Sequence, residues 1–296
     1  ASTTANQLIV KAGASLAVSN TLTVNHLILE ANDTASFSAL ATSQLTINGA
    51  VYFEKEMSDS STYMLSFPCR VRVTDITVNG QGAAGEDYYI YSYNGAGRAT
   101  SGEADSWVVF DGDSLQANQG YAFRLKAGSG TQTMVFKLKN SVMQPTTELS
   151  IPVSFYYGNS GDTHKGWNLI SQQYLNKMAG SAVGIHYITT HKGNSYHGLV
   201  NSQVSTLNPF EAFFVQVAEP TAIPCYLTGQ QGIRSLVNRD LTETVQLNIS
   251  STTGTDFSTL IFDNERTSLY EIGQDLEKWI STSSYEPQIY STVSGV

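Results

Sequence analysis

Three short segments occur twice in the same order, and this repetition constrains the fold more than any other feature of the chain. The first copy comprises YMLSFP at 63–68, YSYNG at 91–95 and GYAFRL at 120–125; the second comprises WNLIS at 167–171, ITTHKG at 188–193 and EAFFVQ at 211–216. Aromatic and aliphatic positions recur, whereas the intervening loops differ in length. Such similarity indicates a duplicated structural unit. It predicts two copies of one scaffold, with any function located in one copy or in the crevice between them.

The repeated segments have the character of β-strands. Residues 71–78 alternate between apolar and polar side chains, as a half-buried strand does, and residues 88–93 form an aromatic strand followed by Asn94-Gly95, a dipeptide typical of hairpin turns. The spacing of these strands is typical of a sandwich. We therefore predict an all-β chain with two jelly-roll-like β-sandwich units, at 57–148 and 149–296. The second unit would include C-terminal strands and one short helix between Tyr270 and Ile280.

Residues 1–56 differ from the rest because their strands are shorter and are separated by Gly, Asn, Ser and Ala. This spacing is typical of the rungs of a parallel β-helix or another solenoid. A solenoid end exposes unpaired backbone groups, so we expect residues 7–30 to aggregate or to mediate dimer formation. So few rungs also suggest that the sequence is a fragment of a longer protein.

The charge distribution argues against two classes of partner. The net charge is −9, and the 16 Lys and Arg residues are dispersed along the chain. Nucleic-acid binding requires a concentrated basic surface, so neither nucleic acid nor an anionic membrane surface is an expected partner. No run approaches the roughly 18 apolar residues of a transmembrane helix, so no membrane insertion is predicted.

The two cysteines, Cys69 and Cys225, both lie in apolar segments that resemble strands. The favoured interpretation is two buried free thiols, because free cysteine is among the residues most often buried. A disulfide between the two units remains an alternative if the protein occupies an oxidising compartment.

The candidate binding residues are aromatic. Tyr88, Tyr91, Tyr93 and Trp107 would form an exposed cluster that binds a sugar or a protein, since aromatic side chains bury area at low entropic cost. No nucleophile elbow and no phosphate-binding loop is present, so we predict no catalytic residues, no cofactor and no metal site.

Two other groups of residues are weaker candidates for a site. Glu103 and Asp105 precede Trp107 and could imitate the acid pair of a glycosidase, but adjacency in sequence does not establish the required separation. Four histidines fall close together, but they lack a nearby Cys or acidic residue to complete a zinc site. These histidines are His164, His186, His191 and His197.

Several segments resemble those of large secreted and cell-surface proteins of the Bacteroidetes, many of which are exported by the type IX secretion system. These are GASL at 13–16, WNLI at 167–170, NPFEAFFV at 208–215, and a tail running from TDF at 255–257 through DLEK at 275–278 to PQIY at 287–290. The resemblance implies a β-rich region that precedes a C-terminal sorting domain. It also implies an extracellular or outer-surface location, and it supplies no catalytic residues.

Together these features predict a non-enzymatic structural or adhesive portion of a larger secreted or surface-attached bacterial protein. Its expected partners are an extracellular glycan or a surface protein of the host or of another bacterium. The alternative is a carbohydrate-binding accessory module, and a glycoside hydrolase is a less favoured version of it. A concave groove with an aromatic floor would support sugar binding, and two facing carboxylates would support hydrolysis.

Overall fold

The structure is a computed structural model that describes residues 3–18, 20–40, 45–139, 149–171, 174–185, 187–192, 194–200, 206–225, 243–250 and 255–262, together with residues 270 and 272. Strands predominate, which confirms the all-β prediction. Within these ranges there is one α-helix, α1 (Gly95–Ser101), and a few 3-10 turns. No helix in the described part of the chain has the length and apolar character needed to cross a membrane.

The strands are numbered in chain order. Up to residue 138 they are β1 (Thr3–Val10), β2 (Ser15–Ala17), β3 (Leu22–Ala31), β4 (Ser38–Leu40), β5 (Leu45–Ile47), β6 (Val51–Ser58), β7 (Thr62–Ser66), β8 (Val71–Arg72), β9 (Ile76–Val78), β10 (Tyr88–Tyr93), β11 (Trp107–Val109), β12 (Ser114–Leu115), β13 (Gly120–Leu125) and β14 (Thr131–Leu138). From residue 149 they are β15 (Leu149–Val153), β16 (Trp167–Ser171), β17 (Tyr187–Lys192), β18 (Ser195–Val200), β19 (Ala212–Gln216), β20 (Thr221–Cys225), β21 (Glu243–Ser250) and β22 (Thr255–Phe262).

The first sheet has the order β1-β3-β6-β14-β9, and β5 also pairs with β3. Strands β1, β3, β5 and β6 are parallel, while β14 is antiparallel to both of its neighbours. The short strands β2 and β4 are also parallel to each other. Between β1 and β3, the Asn25 side-chain amide donates to Asn6 Oδ1 at 3.1 Å. The unit boundary predicted at residue 56 falls inside β6, so the N-terminal strands are continuous with this sheet.

The second sheet is antiparallel, has the order β7-β13-β10-β11, and packs against the first sheet. Alternate side chains of both sheets meet in one apolar core, as period-two strands require. Phenylalanine rings occupy the centre of this core. The ring centroids of Phe53 and Phe136 lie 5.6 Å apart, and the Phe123 ring packs edge-on against Phe136 with 5.3 Å between centroids. Each fully buried ring of this kind stabilises the fold by roughly 1.5–3 kcal/mol.

The third sheet is antiparallel, with the order β16-β19-β17-β18. One face of it packs on the two-stranded sheet β15-β20 around a second core, and the nearby Tyr174 hydroxyl donates to the Cys225 carbonyl at 2.9 Å. Its other face contacts the outer face of the second sheet. Strands β21 and β22 pair as an antiparallel ribbon.

The repeated segments occupy matching strands of the second and third sheets. The first segment of each copy lies on β7 or β16, the second on β10 or β17, and the third on β13 or β19. In both sheets the strand of the third segment lies between the other two.

Two local predictions need correction. Residues 71–78 do not form one strand, because a 3-10 turn (Val73–Asp75) separates β8 from β9, and the Arg72 guanidinium bonds Asp75 across it at 2.8 Å. Asn94 does not begin a hairpin turn. It caps α1, where its Oδ1 accepts the Gly97 N–H at 2.9 Å, since asparagine suits a helix N-cap as well as a turn. The helix predicted between Tyr270 and Ile280 lies outside the described residues, apart from positions 270 and 272.

Candidate functional site

The predicted aromatic residues on strand β10, Tyr88, Tyr91 and Tyr93, lie on opposite faces of its sheet. Tyr88 points into the first core, where it is fully buried and its hydroxyl donates to the Ile76 carbonyl at 3.1 Å. Burial raises the pKa of Tyr88 to about 12. Tyr91 and Tyr93 lie an odd number of residues away and therefore face the other side. The expectation that Tyr88 is part of an exposed aromatic surface is wrong for this reason.

Tyr91, Tyr93 and Trp107 do come together, but between the second and third sheets. The Tyr93 ring lies 5.3 Å from Trp107 and 5.0 Å from Phe214 of β19, in edge-on geometry. All three are half-buried and pack against a small core that the two sheets share. Their main physical role is to join the two halves of the molecule.

Phe210 is a structural anchor that the sequence did not reveal. It is the third residue of a turn in which the Glu211 N–H donates to the Asn208 carbonyl at 3.1 Å, and its φ of 62° is left-handed. Its ring is fully buried in the core of the first two sheets, 4.8 Å from the Phe53 ring and 5.6 Å from the Phe67 ring. The segment preceding β19 thus anchors the third sheet in the first sandwich.

Beside this anchor lies a crevice of about 460 Å³ between the first sandwich and the third sheet. We call it the inter-sheet crevice. One wall is formed by the loop after β3 and by β6 and β7. The opposite wall includes Lys177, His191 and the turn that carries Phe210. Its volume is within the roughly 300–1,000 Å³ of small-molecule sites.

A compact charged group occupies the first wall. The Lys55 ammonium donates to the Asn32 carbonyl at 2.6 Å, lies 3.5 Å from Asp33 Oδ1 and is 5.2 Å from the centroid of the Tyr63 ring. The Tyr63 hydroxyl donates to Asp33 at 3.1 Å and accepts the Ser58 N–H at 2.8 Å. Asp33 therefore links the cation and the phenol.

Burial controls the electrostatics of the crevice. It lowers the pKa of Lys55 although Asp33 and Glu211 attract the cation, and it raises the pKa of Tyr63 to about 12. Burial together with the neighbouring His197 lowers the pKa of His191 to about 4. At neutral pH, His191 and Tyr63 are therefore uncharged.

The second wall is held by the same turn that positions Phe210. Glu211 Oε2 accepts the Asn208 backbone N–H at 2.8 Å and its side-chain amide at 3.2 Å. On the first wall, Ser36 lines the crevice and is 6% exposed, and its buried hydroxyl has no hydrogen-bond partner among the described residues.

The acidic pair before Trp107 and the four histidines do not form a site among the described residues. Glu103 and Asp105 lie in a 3-10 turn after α1, where Glu103 is 3.8 Å from the Arg98 guanidinium. Arg98 is buried, with its guanidinium 5.7 Å from the centroid of the Trp167 ring. Across the described ranges, no three His, Cys, Asp or Glu side chains form a metal-binding group. His186 lies outside those ranges.

Both cysteines are free, and they belong to different cores. Cys225 is buried, as predicted, and burial raises its pKa to about 12. Cys69 is only partly buried, and burial raises its pKa as well.

The crevice could not be predicted from the sequence, because the residues of its two walls are far apart along the chain. Asn32-Asp33 has a turn signal, and Asn208-Pro209 another, but neither indicates that the two turns meet. Comparisons of the chain with protein-family models, with curated proteins and with solved structures gave no match.

Proposed function

We propose that the chain is a non-enzymatic structural and adhesive portion of a larger secreted or surface-attached bacterial protein. The observation that carries the proposal is the anchoring of the third sheet by Phe210 in the core of the first sandwich. A shared core of this kind resists separation, because pulling the two apart would expose fully buried aromatic rings. A load-transmitting part of a surface protein needs that property.

The strand arrangement supports two further parts of the proposal. The second and third sheets have equivalent strand orders, which favours descent of the two halves from one duplicated unit. The parallel strands β1, β3 and β6, with β2 parallel to β4, favour a β-helix-like N-terminal layer. The resemblance of segments such as 208–215 to Bacteroidetes surface proteins favours a location outside the cell.

Adhesion is tested by coating beads with the chain and measuring their retention under flow on surfaces of extracellular glycoprotein, before and after enzymatic deglycosylation. The proposal expects retention that survives deglycosylation and exceeds that of beads coated with an unrelated β-sandwich. Equal retention of both kinds of bead would overturn the adhesive role.

A carbohydrate-binding accessory module is the second candidate, and the inter-sheet crevice favours it. The crevice combines amide, hydroxyl and carboxylate groups with the Tyr63 ring, a mixture suited to sugar hydroxyls and to an apolar sugar face. A glycan array tests this candidate directly. Binding to defined glycans, together with loss of bead retention after deglycosylation, would favour it over protein adhesion.

A further inference from the structure

We propose that the inter-sheet crevice binds one or two neutral sugar residues. The inference rests on the second candidate function, and it names the site and the class of ligand. It follows from the rigidity of one wall, the balance of charge, an unpaired buried hydroxyl and the apolar part of the lining.

The wall that follows β3 is preformed. Asn32 Oδ1 accepts the N–H groups of Ala35 at 2.7 Å and Thr34 at 3.0 Å, and the Asn32 N–H donates to the Ala35 carbonyl at 2.8 Å. Ala31 and Ser36 pair across the base of this loop. A ligand would meet an ordered surface, so little binding energy would be spent on ordering it.

The formal charges that line the crevice cancel. Lys55 and Lys177 provide two positive charges, Asp33 and Glu211 provide two negative charges, and His191 is neutral at pH 7. An anionic ligand would meet both carboxylates, and a cationic ligand would meet both ammonium groups. Neutral hydroxyls avoid this conflict because each of them both donates and accepts hydrogen bonds.

Ser36 supplies an observation that points independently to a ligand. Ser36 is a residue of the crevice lining, and its hydroxyl is buried and lacks a partner in the described part of the chain. Buried polar atoms are rarely left without a hydrogen bond, since each such atom costs about 1–3 kcal/mol. A ligand hydroxyl that reached this oxygen from the crevice would satisfy it.

The lining also has an apolar part, to which Tyr63, Met64, Leu65 and Pro209 contribute. Carbon-bound hydrogens of a sugar ring pack well on such a surface, while its hydroxyls turn toward Asp33 and Ser36. The volume of about 460 Å³ suits one or two rings rather than a long polysaccharide.

Saturation-transfer NMR and isothermal titration calorimetry with neutral disaccharides, glucuronic acid and glucosamine test the proposal on the full chain. The neutral sugars are expected to bind more tightly than both charged sugars. Ser36→Val, which fills the site and removes the hydroxyl, is expected to weaken binding at least about tenfold, equivalent to about 1.4 kcal/mol. Tyr63→Phe should also weaken it, and it keeps the experiment decisive if Ser36→Val fails to fold.

Thr100→Val is the matched control, because Thr100 lines a separate shallow groove beside α1. It should leave the affinity within about twofold. Absence of binding by every neutral sugar would overturn both the site and the sugar-binding function. Binding that is unaffected by Ser36→Val and Tyr63→Phe, or lost in Thr100→Val, would overturn the crevice assignment alone. Tighter binding of glucuronic acid would overturn the choice of a neutral ligand.

Discussion

At the scale of single residues, Phe210 shows how packing overrides a local backbone preference. A left-handed conformation costs a residue with a side chain roughly 1–2 kcal/mol, and Phe210 adopts it with a φ of 62°. Its fully buried ring contacts the rings of Phe37, Phe53 and Phe67. Removal of a buried phenyl ring costs about 3–5 kcal/mol, so the burial exceeds the strain.

We therefore expect Phe210→Ala to lower the free energy of unfolding by about 3–5 kcal/mol in urea titrations. Phe210→Gly should be less destabilising than Phe210→Ala, because glycine adopts a positive φ without steric cost. Tyr157→Ala provides an exposed aromatic control, since Tyr157 is 80% exposed, and it should change little. If the glycine variant were the less stable of the two, the strain argument would be wrong.

His191 gives the stability a pH dependence whose direction follows from its pKa. Burial lowers that pKa to about 4 in the folded state, below the 6.5 of an ordinary histidine. The unfolded chain therefore binds the proton more readily between pH 6.5 and 4. The contribution of neutral His191 is complete above pH 6.5 and is lost as the pH falls toward 4.

Melting temperatures measured from pH 7 to 4.5 should fall less steeply in His191→Gln than in the original protein. The comparison is between slopes, because carboxylates that titrate in this range affect both proteins alike. Parallel curves for the two proteins would show that His191 does not titrate differently on folding.

At the scale of elements, strand β1 has one edge that no described strand covers. Within the described residues it pairs only with β3, so its other edge carries unpaired backbone groups, and Ile9 on it is 43% exposed. Free edges of this kind recruit further strands unless a charge or a covering segment blocks them. The parallel pairing of β1 with β3 shows the geometry in which another strand would add.

Self-association is accordingly expected through β1, and Ile9→Lys should reduce it. Light scattering coupled to size-exclusion chromatography would show a larger monomer fraction at the same concentration. Val109→Lys is the control, because Val109 is 64% exposed on β11, at the edge of another sheet. An effect of the control alone would place the association at β11, and a monomeric parent protein would contradict the expectation.

At the scale of the whole molecule, the second and third sheets approach each other too closely for an added side chain. A Cβ placed on Gly120 of β13 would lie 2.4 Å from Leu169 Cγ and 2.8 Å from Ala212 Cβ. Backbone bridges also join the halves, between Leu65 and Glu211 and between Gln119 and Ile170. The two halves are therefore expected to unfold together.

Scanning calorimetry should show one cooperative transition for the original protein. Gly120→Ala forces the sheets apart and should lower the free energy of unfolding by about 1–3 kcal/mol, with a broadened or divided transition. Ala127→Gly, in the exposed turn after β13, is a control for a change of one methyl group and should retain a single transition. A Gly120→Ala protein that melts like its parent would show that the interface adapts at no cost.

The sequence by itself determined the class of the fold and most of its strands. Enrichment in aromatic and β-branched residues, as at 88–93, is a local property of strands, so it can be recognised without the partner strand. The repeated segments fall on strands of the second and third sheets. Their pairing register was less predictable: Tyr63 pairs with Phe123, whereas Trp167 pairs with Gln216, two residues beyond the aligned Phe214. A shift of two preserves the faces, so the sequence pattern does not detect it.

Only the tertiary structure decided which surfaces are covered and which meet. Tyr91 and Trp107 have the sequence character of an exposed binding surface, yet they pack near Phe214, far along the chain. Lys55 faces a wall formed by residues more than a hundred positions later, including Glu211. Contacts of this kind depend on how sheets pack, which no local pattern encodes. The strands could therefore be predicted from the sequence. The anchor at Phe210 and the crevice beside it could not, because both result from the packing of the two halves.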